Sequence, residues 1–330
     1  MRVYLDADAD LDLIRERRVA VIGYGNQGRA QALNLRDSRV SVIVGLSEGS
    51  GSRARASADG FDVMTAAQAC AQADVVAILA ADEHHGRLYA EEVAPNLAEG
   101  SALVFAHGLS IRFALIEPRA DLDVVLVAPK GPGTALRREY EQGAGLIALF
   151  AVHQDPTGRA EALALSYAAA IGSGRAGILG TSFAEECEAD LFNEQAVLWG
   201  AIPELIHAGF ETLVDAGFSP EIAYFECLTE VKLIADLIYE RGIKGMREAI
   251  SNTAEFGALK GGTRIVTADT RTEMRRILRE VRSGSFVREL IADSEAGYPR
   301  LKASRAAAAA HPIEEVAARL RALSAPGGDG

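Results

Sequence analysis

Two pairs of carboxylates carry the strongest chemical signal in the chain. Asp190 and Glu194 stand four residues apart in one helix-like stretch, and Glu226 and Glu230 do so in another. That spacing sets each pair on one helix face, where like charges repel by roughly 0.2–0.5 kcal/mol. No Lys or Arg lies four residues away from either pair to relieve the repulsion. Both pairs also continue apolar stripes: Phe183, Cys187, Val197 and Leu198 around the first, Leu233, Ile234 and Leu237 after the second. The expectation is therefore that they turn inward, where a carboxylate must be paired, protonated or bound to metal. Two helices each presenting two such groups make an oxygen-rich box suited to a hard cation such as Mg²⁺. No histidine sits at a matching position, which argues against a di-iron site. The bland alternative is a pair of solvated acidic faces, and the apolar neighbours weigh against it.

A second signal is GYGNQG, residues 23–28, directly after an apolar run and opening a helical period. Gly23, Gly25 and Gly28 suit a tight turn and close approach of backbone to a pyrophosphate, which then sits at the positive end of the helix. A dinucleotide is thereby implied. Its type depends on the end of the next strand, where an NAD enzyme carries an acid against the ribose. Here Ser47, Ser50 and Ser52 precede Arg53 and Arg55, and hydroxyls with guanidinium favour the 2′-phosphate of NADP. Glu48 stands against this, because a carboxylate facing the ribose would repel phosphate and admit NAD.

Polar singletons complete the set. His107 follows the apolar run 102–105, and Lys130 follows 124–127 inside a Pro/Gly frame, in a chain with only five lysines among 34 basic residues. Both fall where open α/β sheets bind ligands, at carboxyl ends of strands. Ser251 reads as a helix cap or as a hydrogen bond to substrate, capping being the simpler role.

The elements that must position these groups follow from periodicity. Apolar runs at 18–22, 40–44, 74–79, 102–105, 124–127 and 145–152, with helical periods between them, predict βαβ units and a parallel, Rossmann-type sheet. From about residue 182 onward the chain turns all-helical, with a helix start at Pro220. The expected domains are 1–181, dinucleotide-binding, and 182–330, helical, carrying the metal and substrate site. Residues 325–330 are expected to fray.

With 330 residues, 49% hydrophobic and 24% charged, the chain can bury two ordinary cores. A net charge of −12 disfavours nucleic acid as a partner. Three scattered cysteines suggest no disulfide framework or zinc site, and no apolar run is long enough to span a membrane. The acidic start MRVYLDADAD does not read as a signal peptide. A cytoplasmic enzyme of small molecules is the expectation.

Taken in order, these segments resemble the ketol-acid reductoisomerases, or acetohydroxy-acid isomeroreductases, in their short microbial form. The resemblance rests on GYGNQG with ALNLRDS at 32–38, FAHG at 105–108, VAPKGPG at 127–133 and AVHQD at 151–155. It continues through DLFNEQ at 190–195, YFECLTE at 224–230 and ISNTAE at 250–255. It implies a Rossmann domain followed by a knotted helical one. The implied activity is Mg²⁺-dependent alkyl migration in a 2-aceto-2-hydroxy acid, then NADPH reduction to the 2,3-dihydroxy acid. Asp190 would bridge two magnesium ions, with Glu194 on one and Glu226 and Glu230 on the other. The second pair would come from the neighbouring subunit, so a homodimer or higher homo-oligomer would share each site. Ser251 would hold the substrate carboxylate, His107 and Lys130 would serve catalysis, and Glu230 would relay the proton. Tyr24, Asn26 and Gln27 with the loop glycines, Ser50, Ser52, Asp82, Glu83, His84, His85 and Gly133 would contact the cofactor.

Departures from the family pattern fall around the pocket. Ser47 stands where Arg is frequent and His85 where Gln is common, while Asn193 replaces Gly, Trp199 a small residue and Thr229 a His. They leave open a divergent isomeroreductase or 2-keto acid reductase of specialised metabolism. A catalytically silent NADP-binding or assembly protein is the third reading, and the intact set of Asp190, Glu194, Glu226, Glu230, Lys130 and Ser251 speaks against it.

Overall fold

The computed structural model describes residues 2–324, so the tail expected to fray, 325–330, lies outside the described residues. Two compact units divide the chain, Met1–Ala189 and Asp190–Gly330. The division falls within the helix Phe183–Asn193, beyond the 181/182 boundary drawn from composition.

Nine strands form a single sheet in the first unit: β1 (Val3–Tyr4), β2 (Arg18–Ile22), β3 (Ser41–Gly45), β4 (Asp62–Met64), β5 (Val75–Ile78), β6 (Ala102–Phe105), β7 (Asp123–Pro129), β8 (Ala148–Gln154) and β9 (Ile178–Gly180). They lie side by side in the order β1-β9-β8-β7-β6-β5-β2-β3-β4. From β4 to β7 every pair is parallel. The strands read as continuous apolar runs because both faces are covered. Val19 and Val21 pack into the core on one face, Ala20 and Ile22 into that on the other.

The expectation of a parallel sheet needs correction beyond β7. There β8 runs antiparallel, with Pro129 opposite Ala148. The intervening helix Gly133–Glu141 therefore returns the chain to the rim it had just left, where a parallel crossover would carry it to the other end. At the far edge β1 pairs antiparallel with β9.

Chain order reverses at β2, which has β3 on one side and β5 on the other. Open sheets bind ligands at such a switch point, outside the carboxyl ends of the strands. Gly23 after β2, Ala80 after β5, His107 after β6 and Lys130 after β7 share that rim.

The second unit is helical throughout its described residues. Its core gathers Phe210, Ala223, Ile313 and Val316, from the helices Ala201–Asp215, Pro220–Tyr224 and Pro312–Ser324. Two helices widen into π turns, Glu194–Leu198 and Phe225–Thr229, a deviation that concentrates at functional sites. Glu194 opens the first, Glu226 lies in the second and Glu230 follows it directly. None of the described helices is long and apolar enough to cross a membrane.

Candidate active site

The glycine loop is built to bring backbone close to a ligand. Gly23 has φ +103°, and a Cβ there would lie 2.6 Å from the Ala80 amide nitrogen, so the β2 turn and the loop after β5 touch through a position only glycine can fill. Side chains of the loop are engaged with neighbouring segments of the fold. Tyr24 is 2% exposed, and its hydroxyl donates to Asp59 Oδ2 at 2.8 Å. Gln27 Nε2 donates to the Gly131 carbonyl at 2.9 Å, and Asn26 Oδ1 accepts from the Thr134 amide at 3.1 Å. A Cβ on Gly133 would strike the Asn26 carbonyl. Asn26, Gln27 and Gly133 thus tie the glycine loop to the Lys130 loop.

Arg29 joins Tyr24 on Asp59, at 2.7 and 3.0 Å. These bonds, Arg29 first and Tyr24 next, outweigh burial and hold the Asp59 carboxyl at about 2. Because the folded value is depressed from 3.8, the stabilisation is complete above 3.8 and is lost as pH falls through about 2. Arg29 is 44% exposed, so screening reduces the contribution to about 1 kcal/mol. Asp59→Asn is expected to lower stability by that amount at neutral pH, with the difference from wild type closing on acidification. Urea unfolding across pH measures it.

Ser47, Ser50 and Ser52 line a cleft of about 370 Å³ with the loop backbone, His84, Arg87 and Glu92. The two arginines expected to favour a phosphate are occupied elsewhere. Arg53 donates to the Leu46 carbonyl at 2.8 Å and Arg55 to the Tyr24 carbonyl at 2.8 Å. Asp82, Glu83 and His84 form the 3₁₀ turn after β5. His85, read as a cofactor contact, is instead turned inward, 3% exposed, because both ring nitrogens find partners within the fold.

On the same rim a charged cluster assembles around a residue that sequence reasoning missed. Glu186, 2% exposed, accepts from Lys130 Nζ at 2.9 Å and from the Gly108 amide at 2.8 Å, with His107 Nδ1 3.1 Å from Oε2. Burial pushes the Glu186 carboxyl up, but His107 and Lys130 together overcome it and hold the group at about 2. For His107, burial disfavours the charge, while the Cys187 sulfur, 3.9 Å from Nε2, and the Glu186 carboxylate favour it more strongly. Its pKa lies well above 6.5, leaving an imidazolium that donates from both nitrogens. Glu186 is thus an anion held between two cations beside the glycine loop, and those cations are groups that can face a carboxylate or developing oxyanion charge.

Asp190 and Glu194 follow Glu186 at four-residue steps along the same chain segment, and both are partly buried. The structure does not bring the second pair to them. Glu226 and Glu230 are exposed in this single chain, and no potential metal-binding group among the described residues includes either. Of the apolar stripes expected to bury these carboxylates, Phe183 and Cys187 are buried, whereas Val197 (38%), Leu198 (42%) and Leu233 (59%) are exposed. Ser251 caps the helix Asn252–Ile265, its Oγ accepting from the Ala254 amide at 3.1 Å, which is the simpler of the two roles read from sequence.

A glycine-loop switch point that shares its rim with a polar cluster, ahead of a helical unit, is the plan of an oxidoreductase working with a nicotinamide dinucleotide. Comparison with known proteins narrows the class. The chain matches the acetohydroxy acid isomeroreductase NADPH-binding domain over residues 13–177 and the ketol-acid reductoisomerase C-terminal domain over 183–325. It belongs to the ketol-acid reductoisomerase family, whose members are oxidoreductases that also isomerise. It is similar to the structure of an NADH-preferring ketol-acid reductoisomerase from an uncultured archean, with 43% identity and a TM-score of 0.96 over 99% of this chain and 100% of that one. A putative oxidoreductase from Jannaschia sp. CCS1 (16% identity, TM-score 0.61, 81% of this chain and 97% of that one) shares the fold. So does a semialdehyde dehydrogenase NAD-binding protein from Cupriavidus necator (20% identity, TM-score 0.59, 81% and 99%).

Proposed function

We propose that the chain converts a 2-aceto-2-hydroxy acid, 2-acetolactate or 2-aceto-2-hydroxybutyrate, into the 2,3-dihydroxy acid, a step of branched-chain amino-acid biosynthesis. The observation that carries this reading is the Lys130–Glu186–His107 cluster on the dinucleotide rim, with Asp190 and Glu194 following Glu186 at helical spacing. The metal donor set fits hard cations: Asp190, Glu194, Glu226 and Glu230 offer carboxylate oxygen alone. These four would hold two Mg²⁺ ions. Bound there, the ions would supply Lewis-acid polarisation of a ketone and stabilisation of an alkoxide, and a bound dihydronicotinamide would supply hydride. Glu230 accepts the proton of the tertiary alcohol. Lys130 and His107, oriented by Glu186, hold positive charge where oxyanion character develops, and Ser251 binds the substrate carboxylate.

A second copy of the chain completes the site. The segment Glu230–Ala249, kinked at Gly242, and its successor leave Leu233, Ile243 (63%), Phe256 (64%) and Leu259 (68%) in the open, large apolar side chains that a second copy would cover. A homodimer that buries this face would carry Glu226 and Glu230 to the partner's site. Light scattering at micromolar concentration is expected to give at least twice the 35.0 kDa chain mass.

Both dinucleotides are proposed to serve. The three serines suit the 2′-phosphate, whereas Glu48 and the engaged Arg53 and Arg55 favour NADH, the preference named for the 43%-identical archaeal relative. Glu48→Gln is expected to shift the NADPH-to-NADH ratio of kcat/KM upward by about fivefold, the effect of removing roughly 1 kcal/mol of charge repulsion. Steady-state kinetics with each cofactor measures it. For the reaction itself, cofactor oxidation with 2-acetolactate is compared with oxidation on simple 2-keto acids. Preference for 2-acetolactate supports the proposal, and turnover with simple 2-keto acids alone contradicts it.

A further inference from the structure

His85 is buried and charged groups surround it, yet it touches neither the cleft nor the Glu186 cluster. Its Nε2 lies 3.0 Å from the Ala80 carbonyl and its Nδ1 2.8 Å from Ser110 Oγ. The ring packs against Phe105, with centroids 6.2 Å apart. A carbonyl only accepts, so the hydrogen belongs on Nε2, and in the neutral ring Nδ1 then accepts from the Ser110 hydroxyl. Ser110 is fully buried.

The three partners are not equivalent pieces of scaffold. Ala80 is the residue whose amide abuts Gly23 of the dinucleotide loop. Phe105 ends β6, two residues before His107, and Ser110 lies in the short helix Leu109–Arg112 that follows His107. We propose that neutral His85 is a positioning residue, a two-ended tie that keeps the dinucleotide loop in register with the turn carrying His107. It acts through Ala80 on the cofactor side and through Ser110 on the catalytic side. This rests on the reading of the glycine loop as a dinucleotide site.

The surroundings favour the neutral form. Burial depresses the His85 pKa below 6.5, with His107 adding to the effect, against Asp82 (Oδ1 3.7 Å from Nδ1), the Ala80 carbonyl and Glu83. A proton on Nδ1 would also force the Ser110 hydroxyl to accept, leaving its own hydrogen buried without a partner, a costly arrangement.

The test measures binding of NADPH and NADH by fluorescence titration without substrate, alongside kcat and KM. His85→Leu removes both hydrogen bonds and is expected to weaken dinucleotide binding about tenfold and to lower kcat about tenfold, since small misplacements of reacting groups are costly. His85→Gln can donate to Ala80 and accept from Ser110, so it is expected to restore both values to within about threefold of wild type, as the geometry of an amide allows. Ser110→Ala deletes one hydroxyl and carries the test if the leucine variant does not fold; it is expected to lose about threefold in kcat. Wild-type affinity and kcat in both His85→Leu and Ser110→Ala would overturn the proposal, as would equal losses in the Leu and Gln variants. Failure of the wild-type protein to bind either dinucleotide would instead overturn the reading beneath it.

Discussion

Glu186→Gln is expected to lower turnover by about a hundredfold or more, the scale associated with misplacing an acid–base or charge-stabilising group, while dinucleotide KM stays within about twofold. Glutamine keeps the shape and can still accept from the Gly108 amide, so the helix need not move. It removes a negative charge that faces Lys130 and His107 at 2.9 and 3.1 Å. His107 then loses a principal support for its imidazolium form, and Lys130 loses one of its ion-pair contacts. Stability should fall as well, by about 1–3 kcal/mol, less than for a fully enclosed pair because Lys130 is 32% exposed. The sign with pH follows from both partners. Glu186, depressed from 4.5, stabilises above 4.5 and loses its effect toward about 2. His107, raised above 6.5, stabilises below 6.5 and loses its effect as pH rises through its folded value. The stability gap between wild type and Glu186→Gln should therefore be widest between about pH 4.5 and 6.5. Thermal unfolding measured from well below that range to well above it checks the prediction, and a gap that does not shrink on either side would contradict it.

Glu230→Gln carries the second large effect. Removing the carboxylate proposed to face the metal and to accept the proton is expected to cut turnover of 2-acetolactate by about a thousandfold, within the range for general bases. NADPH and NADH affinities should change by less than about twofold, because the glycine loop belongs to the other unit of the chain. Stopped-flow absorbance with 2-acetolactate and fluorescence titration of the dinucleotides give the two numbers separately. A large loss of cofactor affinity would argue that Glu230 serves binding and not proton transfer.

The nucleotide-binding half was readable where local physics decides. Strands buried on both faces announce themselves as apolar runs, and the glycines at 23 and 28 stand where a Cβ would strike backbone. β1, β4 and β9 escaped notice because two or three residues carry no period. The antiparallel β8 escaped because strand direction is set by where the helix Gly133–Glu141 returns the chain, which composition does not encode. Glu186 was hidden for a different reason: with Glu185 it sits in the first turn of its helix, where acids ordinarily do no more than offset the helix dipole. The available signal was its place as the first member of the series 186, 190, 194. The inward turn predicted for the helical carboxylates assumed that one chain covers its own apolar stripes. Leu233 at 59% and Phe256 at 64% exposure show that the single chain does not supply that cover, and the homodimer proposed above is what would. His85 shows the converse. A loop histidine beside a glycine turn looks like a ligand contact until Ser110, 25 residues away, claims its second nitrogen.

The central claim, paired divalent cations held by carboxylates beside the nicotinamide, is tested most directly by following dinucleotide oxidation with 2-acetolactate while Mg²⁺ is titrated into chelator-treated enzyme and the product is identified. The account predicts no turnover under chelation, saturable recovery with Mg²⁺ and a 2,3-dihydroxy acid as product. Undiminished turnover in chelator, or recovery without the dihydroxy acid, would contradict it.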